Sequence, residues 1–321
     1  MGAALVPPTI EDVRAAAERI AGEVHRTPVL TCAAIDEIVG MRLYFKCENL
    51  QKVGAFKFRG ATNAVRSLED EEAARGVVTH SSGNHAQALA LAARRRGIPA
   101  WVVMPSNAPA VKRRAVAGYG ATIVDCEPTL EARESTAAGV LAETGATFIH
   151  PYDDPRVIAG QGTAALELMQ DVLGLDAVIV PIGGGGLGSG TCLAVQGEDP
   201  GVAVYGAEPE RADDARRSLE AGRLIPVETA DTMADGLRTS LSDLTFGILQ
   251  SHLTAIPTVA EGEIASAMRL VWERMKTVIE PSAAVPLAAC ARLHPVLAGK
   301  RVGIILSGGN VDLDDLPWTR D

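Results

Sequence analysis

VVTHSSGNHAQALALAARRRGIPAWVVMP, residues 77–105, is the stretch whose reading decides the fold. Val77–His80 is a short apolar strand. Asn84–Arg96 follows as a helix, closed by Arg94-Arg95-Arg96, which complement the negative end of its dipole. Pro99–Pro105 is the next strand. Between the first strand and the helix lie Ser81-Ser82-Gly83-Asn84-His85, five small or polar residues in a row. A helix cap needs only one of them.

The alternation runs outward from there. The pattern predicts a helix over 108–119, a strand over 121–126, a helix over 130–144 and a strand over 146–150. Upstream, Thr9 caps a helix with apolar residues at Ile10, Val13, Ala17 and Ile20, and Arg42–Cys47 is a strand. Beyond Pro151 come strands at 177–182, 202–207 and 301–306, with helices near 159–171, 189–197 and 262–277. Strands alternating with helices imply parallel sheets with crossover connections. The expected architecture is α/β: two open, twisted, mainly parallel sheets with helices on both faces and a cleft at their strand C-terminal ends. The expected division is a large domain of residues 1–70 plus 154–321 and a small domain of residues 71–153.

Composition narrows the function. The chain has 321 residues, 47% hydrophobic and 22% charged, enough for two domains with ordinary cores. Its formal net charge of −10 argues against nucleic acid as a partner. Cys32, Cys47, Cys126, Cys192 and Cys290 are scattered without a CxxC, which suits reduced thiols in a cytoplasmic protein. Neither a signal peptide nor a membrane span is expected.

Five motifs carry chemistry. Lys57 stands between Phe56 and Phe58, inside the run Gly54–Ala61. Desolvation there would lower its pKa and make the amine a nucleophile toward carbonyls. The alternative is a lysine that snorkels from an apolar helix end. Ser81–His85 opens a helix and presents backbone N–H groups to an anion, or simply caps that helix. Gly183-Gly184-Gly185-Gly186-Leu187-Gly188-Ser189-Gly190 follows a strand and opens another helix, a geometry that cradles phosphate. Glu208, after the next strand, stands where a Rossmann acid would meet a ribose, so a nicotinamide-dependent oxidoreductase is a live alternative. It leaves Lys57 and the SSGNH run without a role. Glu208, Asp213 and Asp214 around Ala212 form an acidic group suited to a hard cation, or a solvated surface loop. Ser307-Gly308-Gly309-Asn310 ends a strand, where a hydroxyl would face the cleft or merely begin a turn. There is no HExxH and no G-x-S-x-G elbow.

Together these residues resemble the fold type II pyridoxal-phosphate (PLP) enzymes of the serine/threonine dehydratase and serine racemase family. The shared segments are KCENLQKVGAFKFRGA (46–61), THSSGNHAQAL (79–89), VIAGQGT (157–163), VPIGGGGLGSG (180–190), AEPERADD (207–214), VWERMKTVIEPSAA (271–284) and LSGGNVD (306–312). The resemblance implies that Lys57 forms the Schiff base with PLP and acts as base on the substrate, with Phe56 beside the cofactor ring. It further implies that Asn84 meets the phenolic oxygen, that Gly183, Gly184, Gly185, Gly186 and Leu187 wrap the phosphate, and that Ser307 pairs with the pyridine nitrogen. Ser81, Ser82, Gly83 and His85 would line the substrate carboxylate pocket, with Ser82 as the acid/base on the opposite face. Glu208, the Ala212 carbonyl and Asp214 would hold a divalent cation, Mg²⁺ or Ca²⁺/Mn²⁺.

The activity so implied is elimination of water from a small L-β-hydroxy amino acid, serine or threonine, to give a 2-oxo acid and ammonia. Serine racemisation with side elimination is an alternative, since both reactions share one carbanion. Arg133 could pair with a second carboxylate, which makes 3-hydroxyaspartate a further candidate; its other reading is a helix-surface charge. A catalytically silent amino-acid-binding relative is the third possibility. A homodimer is expected from the family. Two departures stand out: Ala55 replaces the more usual Ser, and Tyr152 replaces a smaller amide, which puts any nucleotide-effector site there in doubt. No C-terminal regulatory domain is expected.

Overall fold

The computed structural model describes residues 5–108, 110–227 and 229–318. α1 (Ile10–Ile20) begins at Thr9, whose side chain and Asp12 cap one another's backbone N–H. Then come β1 (Val29–Leu30), α2 (Ala33–Val39), β2 (Arg42–Cys47), α3 (Lys57–Arg66) and α4 (Asp70–Ala74). The regular alternation follows as β3 (Val77–His80), α5 (Asn84–Arg96), β4 (Ala100–Pro105), α6 (Ala110–Gly118), β5 (Thr122–Cys126), α7 (Leu130–Thr144) and β6 (Thr147–Phe148). α8 (Pro155–Asp171) leads to β7 (Ala177–Pro181), α9 (Gly186–Glu198), β8 (Ala203–Pro209), α10 (Asp214–Ala221) and α11 (Asp243–His252). β9 (Thr258–Val259), α12 (Glu261–Met275), α13 (Pro281–Leu297) and β10 (Arg301–Leu306) complete the described chain.

The strands form two sheets. One has the order β5-β4-β3-β6 and is wholly parallel. The other has the order β1-β2-β10-β7-β8-β9, parallel except for the edge pair β1–β2. The last strand in sequence, β10, thus lies between β2 and β7. The α/β class and the two mainly parallel sheets agree with the sequence pattern.

The pattern is silent on 281–297, which is the buried helix α13. Pro286 and Pro295 lie inside it, where proline removes a hydrogen bond and argues against a helix. Its apolar residues also run all round rather than along one stripe, so no amphipathic period marks it. Burial of Ala283, Ala284, Val285, Leu287, Ala289 and Cys290 against the larger sheet holds it nonetheless.

α8 organises what lies beneath the cleft. A Cβ at Gly160 would stand 2.6 Å from the Gly60 Cα of α3, and one at Gly162 would stand 2.7 Å from the Gly190 carbonyl of α9. The GQG of residues 160–162 therefore lets α3 and α9 touch α8 backbone to backbone. A buried ion network braces the same helices. Arg59 donates to Glu48 at 2.7 Å and to Glu167 at 2.8 Å, and Lys46 donates to Glu167 at 2.6 Å. Arg59, Glu48 and Lys46 are fully buried, so removing one partner would strand an unpaired charge.

Candidate active site

Lys57 is the first residue of α3, two positions before Arg59, so the ion network and the glycine contacts fix where its side chain starts. Its Nζ donates to the Pro151 carbonyl at 2.7 Å and lies 5.2 Å from the Phe56 ring centroid. Burial lowers its pKa to about 8, with the Glu280 carboxylate opposing. A fraction of the amine is then neutral near pH 7 and nucleophilic.

Asn84 opens α5, and its Nδ2 donates to both Glu280 oxygens, at 3.0 and 3.2 Å. The Asn310 backbone N–H donates to Glu280 Oε2 at 3.1 Å, and Asn310 Nδ2 donates to Asn84 Oδ1 at 2.9 Å. Burial raises the Glu280 carboxyl to about 7, reinforced by Asp235 and opposed by Asn84 and Asn310. Glu280 is a site residue that the sequence reading misses. As the residue before Pro281, it looks like a plain helix start. The glycines of SGGN carried the missed signal: a Cβ at Gly308 would lie 2.6 Å from Glu280 Oε1.

Ser307 directly follows β10, almost fully buried, and its carbonyl accepts the Phe56 N–H at 3.0 Å, which ties the lysine segment to the strand end. Ser81 Oγ accepts the Gly83 N–H at 3.3 Å. Ser82 and Gly83 sit half-buried beside it at the α5 N-terminus, and nothing stands within 4 Å of a Cβ built on Gly83. His85 turns inward: its Nε2 contacts the Ile149 carbonyl at 3.2 Å, its Nδ1 has no partner, and burial holds it neutral. What His85 offers the cleft is its backbone N–H in the first turn of α5.

The glycine run folds as a turn into α9. Gly185 is the N-cap with φ of 87°, a backbone that favours glycine. A Cβ at Gly183 would meet the Gly236 carbonyl and Leu237 Cα, both at 3.0 Å. The first N–H groups of α9 lack intrahelical acceptors and form the positive end of its dipole, a fit for phosphate.

A row of rings crosses the end of the smaller sheet. His80, Phe148, His150 and Tyr152 follow one another, tilted or edge-on, with centroids 5.4, 5.9 and 4.6 Å apart for the pairs His80–Phe148, Phe148–His150 and His150–Tyr152. Burial lowers His150 to about 4 and lowers His80, which Glu134 opposes and Arg133 reinforces. Arg133 also opposes the burial that raises the Cys126 thiol. Its charge therefore acts at the C-terminal ends of both β3 and β5, and its buried Nε has no partner.

Apart from the cleft, Glu208 is fully buried and accepts the N–H groups of Ala215 and Arg216 at 3.1 and 2.8 Å. Burial, reinforced by Asp214 and Asp213, pushes it well above the usual carboxylate range. Burial likewise raises Asp214 to about 6, with N–H groups of Leu241 and of Asp214 itself opposing. Neither Asp214 oxygen makes a well-formed hydrogen bond. Asp213 pairs with Arg216 and Arg217, and Arg217 acts on Asp214 only from a distance, so among the described residues neither Glu208 nor Asp214 has an ion pair of its own. Among the described residues no three His, Cys, Asp or Glu side chains cluster for a metal, so the third donor there would be the carbonyl of buried Ala212. A Glu208 so enclosed is also unavailable to a ribose, which removes the structural basis of the nicotinamide alternative.

The model of the family described as "Pyridoxal-phosphate dependent enzyme" matches residues 20–308. The chain is 55% identical to a β-hydroxyaspartate dehydratase of Paracoccus denitrificans over 97% of this chain and 99% of that one. It is 47% identical to an L-threo-3-hydroxyaspartate ammonia-lyase of Saccharomyces cerevisiae, over 96% and 95% of the two chains. The crystal structure of serine racemase from Dictyostelium discoideum superposes with a TM-score of 0.92 at 51% identity, covering 95% of this chain and 99% of that one.

Proposed function

The chain belongs to the pyridoxal-phosphate-dependent enzymes, and we propose that within this family it is an ammonia-lyase whose substrate is 3-hydroxyaspartate. The observation that carries the substrate is Arg133: a half-buried arginine whose enclosed Nε has no partner, acting at the strand ends beside the neutral histidines His80 and His150. A guanidinium so placed pairs with a carboxylate that serine and threonine lack. Two relatives named for hydroxyaspartate chemistry support the same reading.

PLP supplies the electron sink for loss of the Cα proton and the β-hydroxyl. The residues present fit it: a partly neutral Lys57 amine, an N–H-lined glycine turn, Asn84, and Ser307 at a strand end. The α5 N-terminus, with Ser81, Ser82 and Gly83, holds the α-carboxylate against a helix dipole. Lys57 removes the Cα proton, and Arg133 orients the side-chain carboxylate. Loss of water, then hydrolysis, releases a 2-oxo diacid and ammonia. Ser82, half-buried at the α5 N-terminus, is the group for proton return on the opposite face, which supports racemisation as a second outcome. Glu208, Asp214 and the Ala212 carbonyl hold a divalent cation that offsets two buried carboxylates.

The test is 2-oxo acid release from the 3-hydroxyaspartates, L-serine and L-threonine by the PLP-loaded protein. Arg133→Leu should lower kcat/KM for hydroxyaspartate about 10²-fold, the worth of a strong charge-assisted pair, and leave serine nearly unaffected. Equal losses on both substrates, or a wild-type preference for serine, would refute the assignment.

A further inference from the structure

Gly184 has no backbone reason to be glycine, since its φ lies outside the left-handed range. Its reason is steric. A Cβ there would stand 2.5 Å from Cε1 and Cγ of Tyr152, and its three nearest atoms are all in that ring. At Gly186 a Cβ would stand 2.9 Å from Tyr152 Cβ and 3.1 Å from Tyr152 Cα. Two glycines of the anion turn are therefore bare on the side where Tyr152 lies.

Tyr152 is held from the other side as well. The His150 ring meets it edge-on at 4.6 Å and 87°. His150 Nδ1 accepts the N–H of Tyr152 at 3.3 Å and of Asp153 at 2.8 Å. That nitrogen is unprotonated, in keeping with the low pKa of His150. One residue earlier, the Pro151 carbonyl accepts the Lys57 amine. A four-residue segment thus touches both the reactive amine and the glycine turn.

We propose that Tyr152 is a positioning residue for the cofactor phosphate. Its ring packs on Gly184 while its Cα and Cβ lie against Gly186, and the ring fixes the direction of the turn's N–H groups. A glycine turn is the least conformationally restricted backbone, so without a packed face its donors would be disordered before binding. The role rests on the PLP reading above and adds to it the residue that makes the turn a preformed cradle.

The test is a double-mutant cycle on the purified protein, read by the PLP dissociation constant and by ³¹P NMR of the bound phosphate. Gly184→Ala and Tyr152→Ala should each weaken PLP about tenfold or more. The pair should be no worse than Tyr152→Ala alone, because removing the ring makes room for the methyl. Tyr152→Phe keeps the ring and should retain affinity within about twofold. In Tyr152→Ala the phosphate resonance should broaden or move toward that of free PLP. Should Tyr152→Ala fail to fold, Tyr152→Leu carries the same comparison. If Gly184→Ala does equal damage with and without the ring, the phosphate itself excludes the methyl and the proposal falls. It also falls if PLP affinity and the ³¹P line survive loss of the ring. A wild-type protein that binds no PLP would instead sink the cofactor reading.

Discussion

Asn84 Nδ2 lies 3.0 Å from Glu280 Oε1, joining the first residue of α5 on the smaller sheet to the N-cap of α13 on the larger. This bond, with Asn310, crosses the cleft at the residues assigned to the cofactor. Burial holds the Glu280 carboxyl near 7 although the bonds from Asn84 and Asn310 pull its pKa down.

That carboxyl makes stability depend on pH. A raised acid pKa means that the folded state binds more protons than the unfolded state between the ordinary glutamate pKa and about 7. The contribution is complete below that window and is lost as pH rises through about 7. Glu280→Gln should flatten this part of the profile. The check is urea unfolding of the PLP-free protein at pH 5 and pH 8. Identical slopes in mutant and wild type would disprove the assignment.

Lys57 titrates near 8, and only its neutral form attacks an aldehyde. The rate at which PLP-free protein captures PLP should climb with pH and level off above about 8. Lys57→Ala should show no visible protein-bound chromophore and lose about 10³-fold or more in turnover. A capture midpoint near the ordinary lysine pKa would show that the amine is not desolvated.

Gly60→Ala should move the lysine helix without touching the lysine. The added methyl would stand 2.6 Å from Gln161 Cδ and 2.8 Å from the Val157 carbonyl, and backbone yields poorly. Overpacking of this kind costs about 1–3 kcal/mol. The variant should melt lower and bind PLP more weakly. Stability within ~0.5 kcal/mol of wild type would mean that the α3–α8 contact is looser than described.

Chelation followed by Mg²⁺ should shift the melting temperature upward for wild type and leave Asp214→Asn unmoved. Saturating a site a hundredfold above its Kd stabilises by about 2.7 kcal/mol. No shift in wild type on either step would remove the cation from the Glu208–Asp214 site.

Much of the molecule was legible in the sequence because its signals are local. Strand 301–306, helix 84–96 and helix 130–144 follow hydrophobic runs and end signals that the chain carries within a few residues. Lys57 between two phenylalanines and the glycine turn opening a helix are local as well, and each names its chemistry. Other features were hidden because their causes lie far away in sequence. α13 contains two interior prolines and is stabilised by the sheet it covers. Glu280 looks like a helix cap until Asn84, from the other sheet, is placed against it. Gly160 and Gly184 look like generic flexibility until Gly60 and Tyr152 fill the space a side chain would take. The order of chemical motifs, and with it the family, was thus determined by the sequence. Which glycine serves which neighbour, which carboxylate is buried, and that β10 pairs with β2 and β7 were decided only by the tertiary structure, since packing and desolvation depend on partners brought together from opposite ends of the chain.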